Sequence, residues 1–422
     1  MSSQPNAEAD ADLKAGGSPD LRPDARPRWA VVCALGIVQI FAWGGSFYLL
    51  TVVAAPILAD TGWPLPWIIG SLSVGLLVSG IVSPRVGNTI DRRGGRFVLA
   101  VSSPLLAAGL VVAGVAPALP VFIAGWVIIG LGMGAGLYDA AFATLGQIYR
   151  ERARSAITGL TLWAGFSSTI SWPLSAWFAA HLGWRGAFFA YAAIQLLICL
   201  PLILTMIPRH LPRVELPGEA KTGTTFVLSP HERRLFLIVS GVFVMAGTSF
   251  SILTIHLLTL LQTHGVSLEN AVLLGTLIGP AQVVGRIVEM SNRGRHHPLW
   301  TLTFAVVLIA VGMTLLATGF AIMGIAIVLY GAGNGVFSIA RGTVPLVLFG
   351  PDRYAQIMGR LARPTLLAQA LAPMLAAWLM TVGGADFLLP MIAGLAIMNM
   401  AIVGALWRFR NGDHSLSLSP MQ

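Results

Sequence analysis

Charged side chains are scarce in this sequence. Asp, Glu, Lys and Arg make up 10% of its 422 residues, whereas soluble globular domains average about 25%. Hydrophobic residues reach 56% and the mean hydropathy is +0.79. The chain therefore has too little polar surface to cover a soluble fold. This composition excludes a soluble protein and predicts a chain that crosses the membrane many times.

Cysteine is nearly absent, and so are the motifs of catalysis and metal binding. Cys33 and Cys199 lie inside apolar runs, which argues against a disulfide framework or a metal site. The sequence has no His/Glu metal helix and no phosphate-binding glycine loop with Lys and Ser or Thr. A glycine series resembles such a loop but lies inside an apolar run, which favours helix packing; it is Gly130, Gly132, Gly134 and Gly136. We predict no enzyme, no metal and no cofactor. Because no motif here could hydrolyse ATP, any movement of solutes by this protein would draw its energy from ion or solute gradients.

The formal net charge is +9, but the cations lie in short clusters between apolar runs rather than along one face. This distribution argues against nucleic-acid binding and is typical of topology signals beside spans of a lipid bilayer. With the N-terminal tail inside, the clusters fall on the cytoplasmic side; they are 92–96, 150–154, 209–234, 293–295, 353–363 and 408–410. Of the 26 Lys and Arg, only Arg185 then falls near an outer loop. We expect a multi-pass protein of the plasma or inner membrane with both termini cytoplasmic.

Twelve apolar segments are long enough to cross about 30 Å of hydrocarbon as helices. The predicted spans are 29–53, 66–88, 97–116, 120–148, 156–180, 184–207, 235–262, 269–291, 299–319, 322–349, 357–381 and 385–407. We predict an N-terminal bundle over 29–207, a cytoplasmic linker rich in Pro, Gly and charge over 208–234, and a C-terminal bundle over 235–408. Residues 1–28 and 409–422 are predicted as cytoplasmic tails, the first of them disordered.

A charged island over residues 83–99 separates the second and third predicted spans. Such a cluster cannot remain in hydrocarbon, so the chain must leave the membrane and turn back here. Part of the island resembles the loop between helices two and three of the major facilitator superfamily; the matching residues are Gly87, Asp91, Arg92, Gly94 and Arg96. Gly95 stands where the family usually has a basic residue. The resemblance implies that these residues control conformational switching, and the alternative is a merely basic turn.

The resemblance covers nearly the whole chain from about residue 29. A weak repeat relates Gly159 and Pro173 of the fifth span to Gly359 and Pro373 of the eleventh. The sequence Gly-Trp-Arg at 183–185 is also similar to the start of helix six in the family. The family resemblance implies an all-α membrane protein with twelve transmembrane helices in two pseudo-symmetric six-helix bundles, which works by alternating access.

Ionisable residues inside spans are the best candidates for function, because each costs about 2.5–3.5 kcal/mol at a helix centre. In the superfamily, helices one, four, seven and ten line the central cavity. The resemblance therefore places Asp139 and Arg341 on the solute path from opposite halves. We expect Asp139 to couple transport to protons through Arg341, which is also a candidate substrate contact. The alternative is a structural ion pair, or side chains that reach the inner surface.

Arg286 lies in a sequence similar to the eighth helix of monocarboxylate and oxalate/formate-type transporters. In that branch an arginine binds the substrate carboxylate, and a guanidinium suits the task because it stays charged and offers a planar fork to two oxygens. Gln282, one turn earlier on the same face, is the expected assisting residue and replaces an Asp or Asn of that branch. In the alternative, Arg286 pairs with Glu289, three residues on, as a gate contact near the inner mouth.

Three further residues complete the candidate substrate site. Trp43 and Tyr48 belong to a polar and aromatic patch of the first span that resembles the start of monocarboxylate-type transporters. His256 lies within the seventh span among serines and threonines, and histidine titrates near neutral pH. The alternative for His256 is a hydrogen bond to a neighbouring helix.

Together these residues predict a secondary active transporter, monomeric, that moves a small organic anion such as a carboxylate with protons as the coupling ion. The rival interpretation is a proton-driven efflux pump for a toxic, amphipathic or metalloid-related compound, since an apolar cavity with one acidic residue would serve that task. A membrane sensor or scaffold is the third interpretation. It would need a signalling domain, and the predicted tails are short.

Overall fold

The computed structural model describes residues 27–209, 228–291, 295–319 and 323–411. Within these ranges every secondary-structure element is a helix. The fold is all-α, as the apolar runs predict, because a backbone in lipid must satisfy its hydrogen bonds within each segment. Most of the predicted tails, 1–28 and 409–422, and most of the predicted linker, 208–234, lie outside the described residues.

The N-terminal half consists of apolar helices joined by short turns. These helices are α1 (Arg28–Trp43), α2 (Leu49–Thr61), α3 (Leu65–Arg93), α4 (Gly95–Gly114), α5 (Leu119–Gly136), α6 (Tyr138–Tyr149), α7 (Ala153–Gly165), α8 (Ser167–Ile194) and α9 (Leu200–Met206). A π turn, Gly44–Tyr48, joins α1 to α2 within one continuous segment, and a second, Gln195–Cys199, joins α8 to α9. A single 3-10 turn, Arg150–Arg152, joins α6 to α7.

The C-terminal half repeats this construction. Its helices are α10 (Pro230–Thr263), α11 (Leu268–Thr276), α12 (Ile278–Ser291), α13 (Pro298–Ala317), α14 (Met323–Phe349), α15 (Tyr354–Gly383) and α16 (Ala385–Asn411). Helix α10 begins before residue 235, so residues 230–234 of the predicted linker are helical. The reason is a capping box, in which Glu232 N–H donates to Ser229 Oγ at 3.2 Å and Ser229 N–H donates to Glu232 Oε2 at 2.8 Å.

Among the described residues, ten segments are long and apolar enough to cross a membrane. Nine of them match one predicted span each. The tenth, Leu119–Met206, is 88 residues long and contains predicted spans four to six. Inside it, Gly183 has φ 72°, a conformation that glycine adopts readily, and it lies between predicted spans five and six. The chain is therefore a multi-pass membrane protein.

Three predicted spans are interrupted where the sequence suggested continuous helices. In the fourth span, Leu137 has an extended ψ of −169° and separates α5 from α6. In the eighth, Leu277 separates α11 from α12. Pro280 explains the break at Leu277, because a proline ring collides with the carbonyl four residues earlier, and Thr276 is the last residue of α11. In the fifth span, Phe166 separates α7 from α8. The breaks at Leu137 and Phe166 lie beside the cavity described below, because Leu137 and Gly165 line it.

Apolar packing holds each half together and also connects the halves. One buried cluster lies wholly between Leu235 and Leu406 in the C-terminal half. Two others fill the N-terminal half and include Leu366 of α15 and Leu346 of α14. Helices α14 and α15 thus pack against both halves, which positions the residues that they carry at the central interface.

The halves meet at one end of the helices, the end that carries clusters 92–96 and 150–154 and residue Arg353, which we call the basic face. Here Arg360 Nη1 donates to Asn88 Oδ1 at 3.2 Å, and Arg150 Nη2 donates to Asp352 Oδ1 at 2.6 Å. These contacts close the basic face.

Candidate functional site

A cavity of about 120 Å³ lies between the halves. It is smaller than the roughly 300–1,000 Å³ typical of pockets for drug-sized ligands. Predicted spans one, four, seven and ten line it, as the family resemblance implied, together with spans two, five, eight and eleven. Its polar and charged lining consists of Trp43, Tyr48, Ser79, Ser83, Tyr138, Asp139, Gln282, Arg286, Asn334, Ser338, Arg341, Thr365 and Gln369. The size favours a small solute.

An ion pair across the cavity joins the two halves. Asp139 lies in the first turn of α6, and Arg341 lies in α14. Arg341 Nη2 donates to the two carboxylate oxygens of Asp139 at 2.9 and 2.8 Å. The side chains are 14% and 15% exposed, so removing one partner would leave an uncompensated, mostly buried charge. In this conformation the two charges balance each other.

Arg286 of α12 is the second cation of the cavity and is only 4% exposed. Its Nε donates to Ser338 Oγ at 3.1 Å, and its Nη2 donates to Gln282 Oε1 at 3.4 Å. Its Nη1 has no hydrogen-bond partner among the described residues. Gly165 of α7 packs against that nitrogen, and a side chain at this position would collide with it. The site thus contains a buried guanidinium that no carboxylate of the described ranges pairs with.

The predicted alternative partner of Arg286, Glu289, is engaged elsewhere. Thr301 Oγ1 of α13 donates to Glu289 Oε1 at 2.5 Å. Arg286 instead bonds to the neutral side chains of Ser338 and Gln282. The local gate contact between Arg286 and Glu289 is therefore not formed in this conformation.

Aromatic rings form a wall of the cavity. Trp43 lies 5.3 Å from Tyr138 and 6.4 Å from Tyr48, measured between ring centroids. Phe47 and Phe250, from opposite halves, approach to 6.2 Å. Trp43 Nε1 is buried without a hydrogen-bond acceptor among the described residues. The structure thus brings the predicted residues Trp43 and Tyr48 to the cavity.

His256, predicted as a substrate contact, is not among the described residues that line this cavity, and its role in binding stays a prediction. Its Nε2 lies 3.0 Å from the carbonyl oxygen of Pro373 in α15. The carbonyl accepts a hydrogen bond from the imidazole, so the side chain joins two helices. The alternative reading of His256, a bond to a neighbouring helix, describes the observed contact.

The turn of the charged island depends on its glycines. Gly94 has φ 85°, which a residue with a side chain rarely adopts. Gly95 packs against Thr144 of α6 so closely that a Cβ would collide with that side chain. This approach explains why Gly95 departs from the family's usual basic residue. Gln147 then binds both ends of the turn, donating to the Ile90 carbonyl at 2.8 Å and accepting from Gly95 N–H at 3.0 Å.

The same island contacts the other half. Gln356 Nε2 of α15 donates to Asp91 Oδ2 at 2.8 Å. A Cβ at Gly87 would collide with the Ala355 carbonyl, and Gly87 also faces Gly359. Both contacts belong to the closed basic face.

Within the part of the chain that the structure describes, neither Arg92 nor Arg96 forms a hydrogen bond or an ion pair with the opposite half. Arg96 donates to the carbonyl of Leu204, within the N-terminal half. Arg92 is exposed at the end of α3.

Sequence reasoning missed several cavity residues that share a helix face with the predicted ones. Asn334 and Ser338 lie four residues apart on α14, and Arg341 follows three residues later. This spacing places all three on one face, so their polarity within a span was a usable signal. Gln369 of α15 and Tyr138 also line the cavity, and their polarity within a span was the signal available for predicting this.

Comparison with known proteins identifies the family. A family model described as Major Facilitator Superfamily matches residues 35–359. The chain is 25% identical over 324 residues to the transcription regulatory protein OpdE of Pseudomonas aeruginosa, covering 73% of this chain and 77% of that protein.

Two solved structures share the fold. The crystal structure of the human organic anion transporter MFSD10 (TETRAN) has a TM-score of 0.71 at 17% identity and covers 90% of this chain and 100% of that chain. The proton:xylose symporter XylE, bound to 6-bromo-6-deoxy-D-glucose, has a TM-score of 0.70 at 14% identity, over 90% of this chain and 95% of that one. The fold, the central cavity and the sequence match agree: the chain belongs to the major facilitator superfamily, whose members transport solutes across membranes by secondary transport rather than catalyse reactions.

Proposed function

We propose that the protein transports a small organic monoanion, a carboxylate in particular, through the cavity between its halves. The observation that supports this most directly is Arg286, 4% exposed, with a guanidinium nitrogen that has no partner among the described residues. A buried charge is costly unless something neutralises it. A solute carboxylate would neutralise the charge of Arg286 and would accept hydrogen bonds from its unpaired N–H groups.

Arg286, rather than Arg341, is the main anion contact in this proposal. Arg341 already donates to both oxygens of Asp139, and the lining of the cavity contains no other acidic side chain among the described residues. The two arginines and one aspartate leave the lining with one surplus positive charge. The same balance argues against a cationic efflux substrate, because no free carboxylate remains to bind it. The related fold of a human organic anion transporter agrees with anion transport.

Proton coupling through Asp139 and Arg341 is part of the proposal. Protonation of Asp139 would weaken its bond to Arg341 and so would loosen one link between the halves. Because the pair lies in the cavity, its state can respond to movement of the halves and to the solute. The fold that the chain shares with a proton:xylose symporter is compatible with this coupling.

We also propose that the basic face is cytoplasmic and that the protein acts as a monomer in the plasma or inner membrane. This face carries Arg353 and the arginines of the clusters 92–96 and 150–154. Positively charged residues favour the cytoplasmic side of a membrane.

The test is binding of matched anionic and neutral ligands to the purified full-length protein. Formate, acetate and benzoate should raise its melting temperature, because a ligand that binds only the folded state stabilises it. Formamide, acetamide and benzamide should not. Arg286→Lys keeps the charge but loses the planar fork, so it should weaken binding by about 1.5–3 kcal/mol, whereas Arg92→Lys should leave affinity unchanged. Equal stabilisation by acids and amides, or wild-type affinity in Arg286→Lys, would contradict the proposal.

A sensor role is the second candidate, and the printed name of the P. aeruginosa relative, a transcription regulatory protein, favours it. Uptake of radiolabelled benzoate and acetate into proteoliposomes separates the two functions. A transporter accelerates the entry of at least one of the two ions under an imposed pH gradient over that into protein-free liposomes, which the neutral acids enter unaided, while a sensor binds without accelerating entry.

A further inference from the structure

We propose that the interruption of the fourth span supplies a second set of donors for the solute, facing the cavity from the half opposite Arg286. The donors are the main-chain N–H at the start of α6, on Tyr138, and the indole N–H of Trp43. The inference rests on the proposed anion transport and adds a second binding group to it.

The first step is the geometry of the break. Leu137 is extended, with ψ −169°, and α6 starts at Tyr138 without any side-chain cap. The first N–H groups of a helix have no intrahelical acceptor, and together they present a partial positive charge. The acidic residue of this first turn, Asp139, is held by Arg341. The start of α6 therefore keeps donors for another acceptor.

The break at Leu137 frees a carbonyl at the end of α5 and N–H groups at the start of α6, and a side chain bonds only to the carbonyl. The carbonyl of Gly136, at the end of α5, accepts a hydrogen bond from Gln39 Nε2 at 2.6 Å. Gln39 is fully buried, so the protein satisfies the acceptor that the break releases. On the donor side, Leu137, Tyr138 and Asp139 all line the cavity. Backbone polar groups inside a span need hydrogen-bond partners. The main-chain N–H groups at the start of α6 would therefore bind an acceptor that enters the cavity.

Independent evidence comes from the side chains. Among the described residues that line the cavity, two have a buried polar atom without a partner, Trp43 Nε1 and Arg286 Nη1. Both are donors and neither can accept. Arg286 is 4% exposed, so its unpaired Nη1 is shielded from bulk solvent and needs a hydrogen-bond acceptor within the cavity. A carboxylate is an acceptor-only ligand with two oxygens, which fits donors on two sides.

The arrangement places the donors in different halves of the transporter. Tyr138 and Trp43 belong to the N-terminal half, and Arg286 belongs to the C-terminal half. A carboxylate between them would bind most tightly when the halves bring all three together. Binding energy would then favour the conformation in which the solute is enclosed, because a ligand shifts an equilibrium only by its difference in affinity for the two states.

The test compares two variants, of which one lacks a main-chain N–H that the other keeps. Tyr138→Pro lacks the N–H, and proline is well tolerated at the first position of a helix after an extended residue. Tyr138→Ala lacks the same ring but keeps the N–H. We expect Tyr138→Pro to bind formate, acetate and benzoate about tenfold more weakly than Tyr138→Ala does, as for loss of a hydrogen bond to a charged group. Titration calorimetry on the purified full-length proteins measures this, with the melting temperature of each unliganded variant as the check on folding.

Trp43→Phe is the second variant, because it keeps an aromatic ring against Tyr138 and removes the indole donor. It should also weaken binding of the three anions about tenfold. Equal affinities of Tyr138→Pro and Tyr138→Ala overturn the role of α6, and wild-type affinity in Trp43→Phe overturns that of the indole. If Tyr138→Pro does not fold, an amide-to-ester exchange at Tyr138 removes the same N–H without a proline ring, and wild-type affinity in the ester variant then overturns the role of α6. If the wild type binds none of the three anions, the proposed function itself fails. If the wild type binds, Arg286→Lys weakens binding and these variants do not, only this inference fails.

Discussion

Arg341 and Asp139 pair across the cavity from positions 202 residues apart, with a shortest distance of 2.8 Å. The same separation of 202 residues relates Arg150 and Asp352, which pair at 2.6 Å on the basic face. In the second pair the signs are reversed, so that the N-terminal half contributes the cation. Two repeated halves that face each other would bring equivalent positions together in this way. The two pairs differ mainly in exposure, and that difference separates their expected roles.

The buried pair should carry the coupling to protons. Asp139→Asn cannot ionise, so proteoliposomes that contain it should lose uptake driven by a pH gradient. Exchange of labelled against unlabelled solute needs no net proton movement and should persist. The measurement is counterflow and gradient-driven uptake of one labelled anion, in parallel, with the same protein preparation.

Asp352→Asn is the matched control, because it breaks an ion pair of the same separation. Its side chain is 67% exposed and that of Arg150 is 56% exposed, and exposed pairs contribute about 0–1 kcal/mol. Gradient-driven uptake should therefore survive in Asp352→Asn. Concentrative uptake by Asp139→Asn would show that the buried pair is structural.

A second prediction concerns the glycine behind Arg286. Gly165→Ala places a methyl group where Arg286 Nη1 lies, so the guanidinium must move away from its contacts with Ser338 and Gln282. We expect carboxylate affinity to fall by about 1–3 kcal/mol, the range for a forced shift in a packed site. Gly279→Ala is the control, because nothing lies within 4 Å of its Cβ position. Similar affinities of the two variants, measured by calorimetry, would argue against the positioning of Arg286 by α7.

The apolar runs predicted most of the fold, because their length and hydropathy are set by the bilayer. Nine described segments match one predicted span each. The breaks at Leu137 and Leu277 were missed for different reasons. Pro280 marked the second, since proline acts four residues upstream. The first follows glycines that also suit an uninterrupted packed helix, so the sequence left both possibilities open.

The candidate site was predictable where a charge lies inside a span. Asp139, Arg286 and Arg341 stood out because charges are rare in hydrocarbon, and the structure places all three in one cavity. Which partner each one takes depends on the packing of separate helices. Glu289 is three residues from Arg286, yet it binds Thr301 of another helix. His256 bonds to Pro373, a contact across helices that spacing within one span cannot indicate.

A third prediction tests the orientation. In a background without Cys33 and Cys199, single cysteines at Ala59 and Arg233 lie on opposite faces, and both positions are exposed. With the basic face in the cytoplasm, an impermeant maleimide should label Ala59→Cys in intact cells and Arg233→Cys only after permeabilisation. The reverse pattern would invert the topology. A cysteine at Gly218, in the predicted linker and outside the described residues, should behave as Arg233→Cys does.

The last prediction concerns closure of the basic face, where α3 and α15 touch through glycines. A Cβ at Gly87 would collide with the main chain of Ala355, and a backbone carbonyl cannot move aside as a flexible side chain can. Gly87→Ala must therefore separate the two helices in the closed state, at a cost of about 1–3 kcal/mol. The substitution has no such free-energy cost in the open state, because α15 then lies further from Gly87. The ratio of open to closed molecules should rise by about 5- to 150-fold.

Double electron–electron resonance between spin labels at Arg92 and Arg233, on opposite halves of the basic face, measures this ratio. Gly70→Ala is the control, because Gly70 lies on the same helix with nothing within 4 Å of its Cβ position. The control should keep the short distance of the closed state, while Gly87→Ala should populate a longer one. If both variants give the distance distribution of the wild type, contact at Gly87 does not set the balance between the two states, and the switching role of the charged island must depend on Asp91 and Gln356 instead.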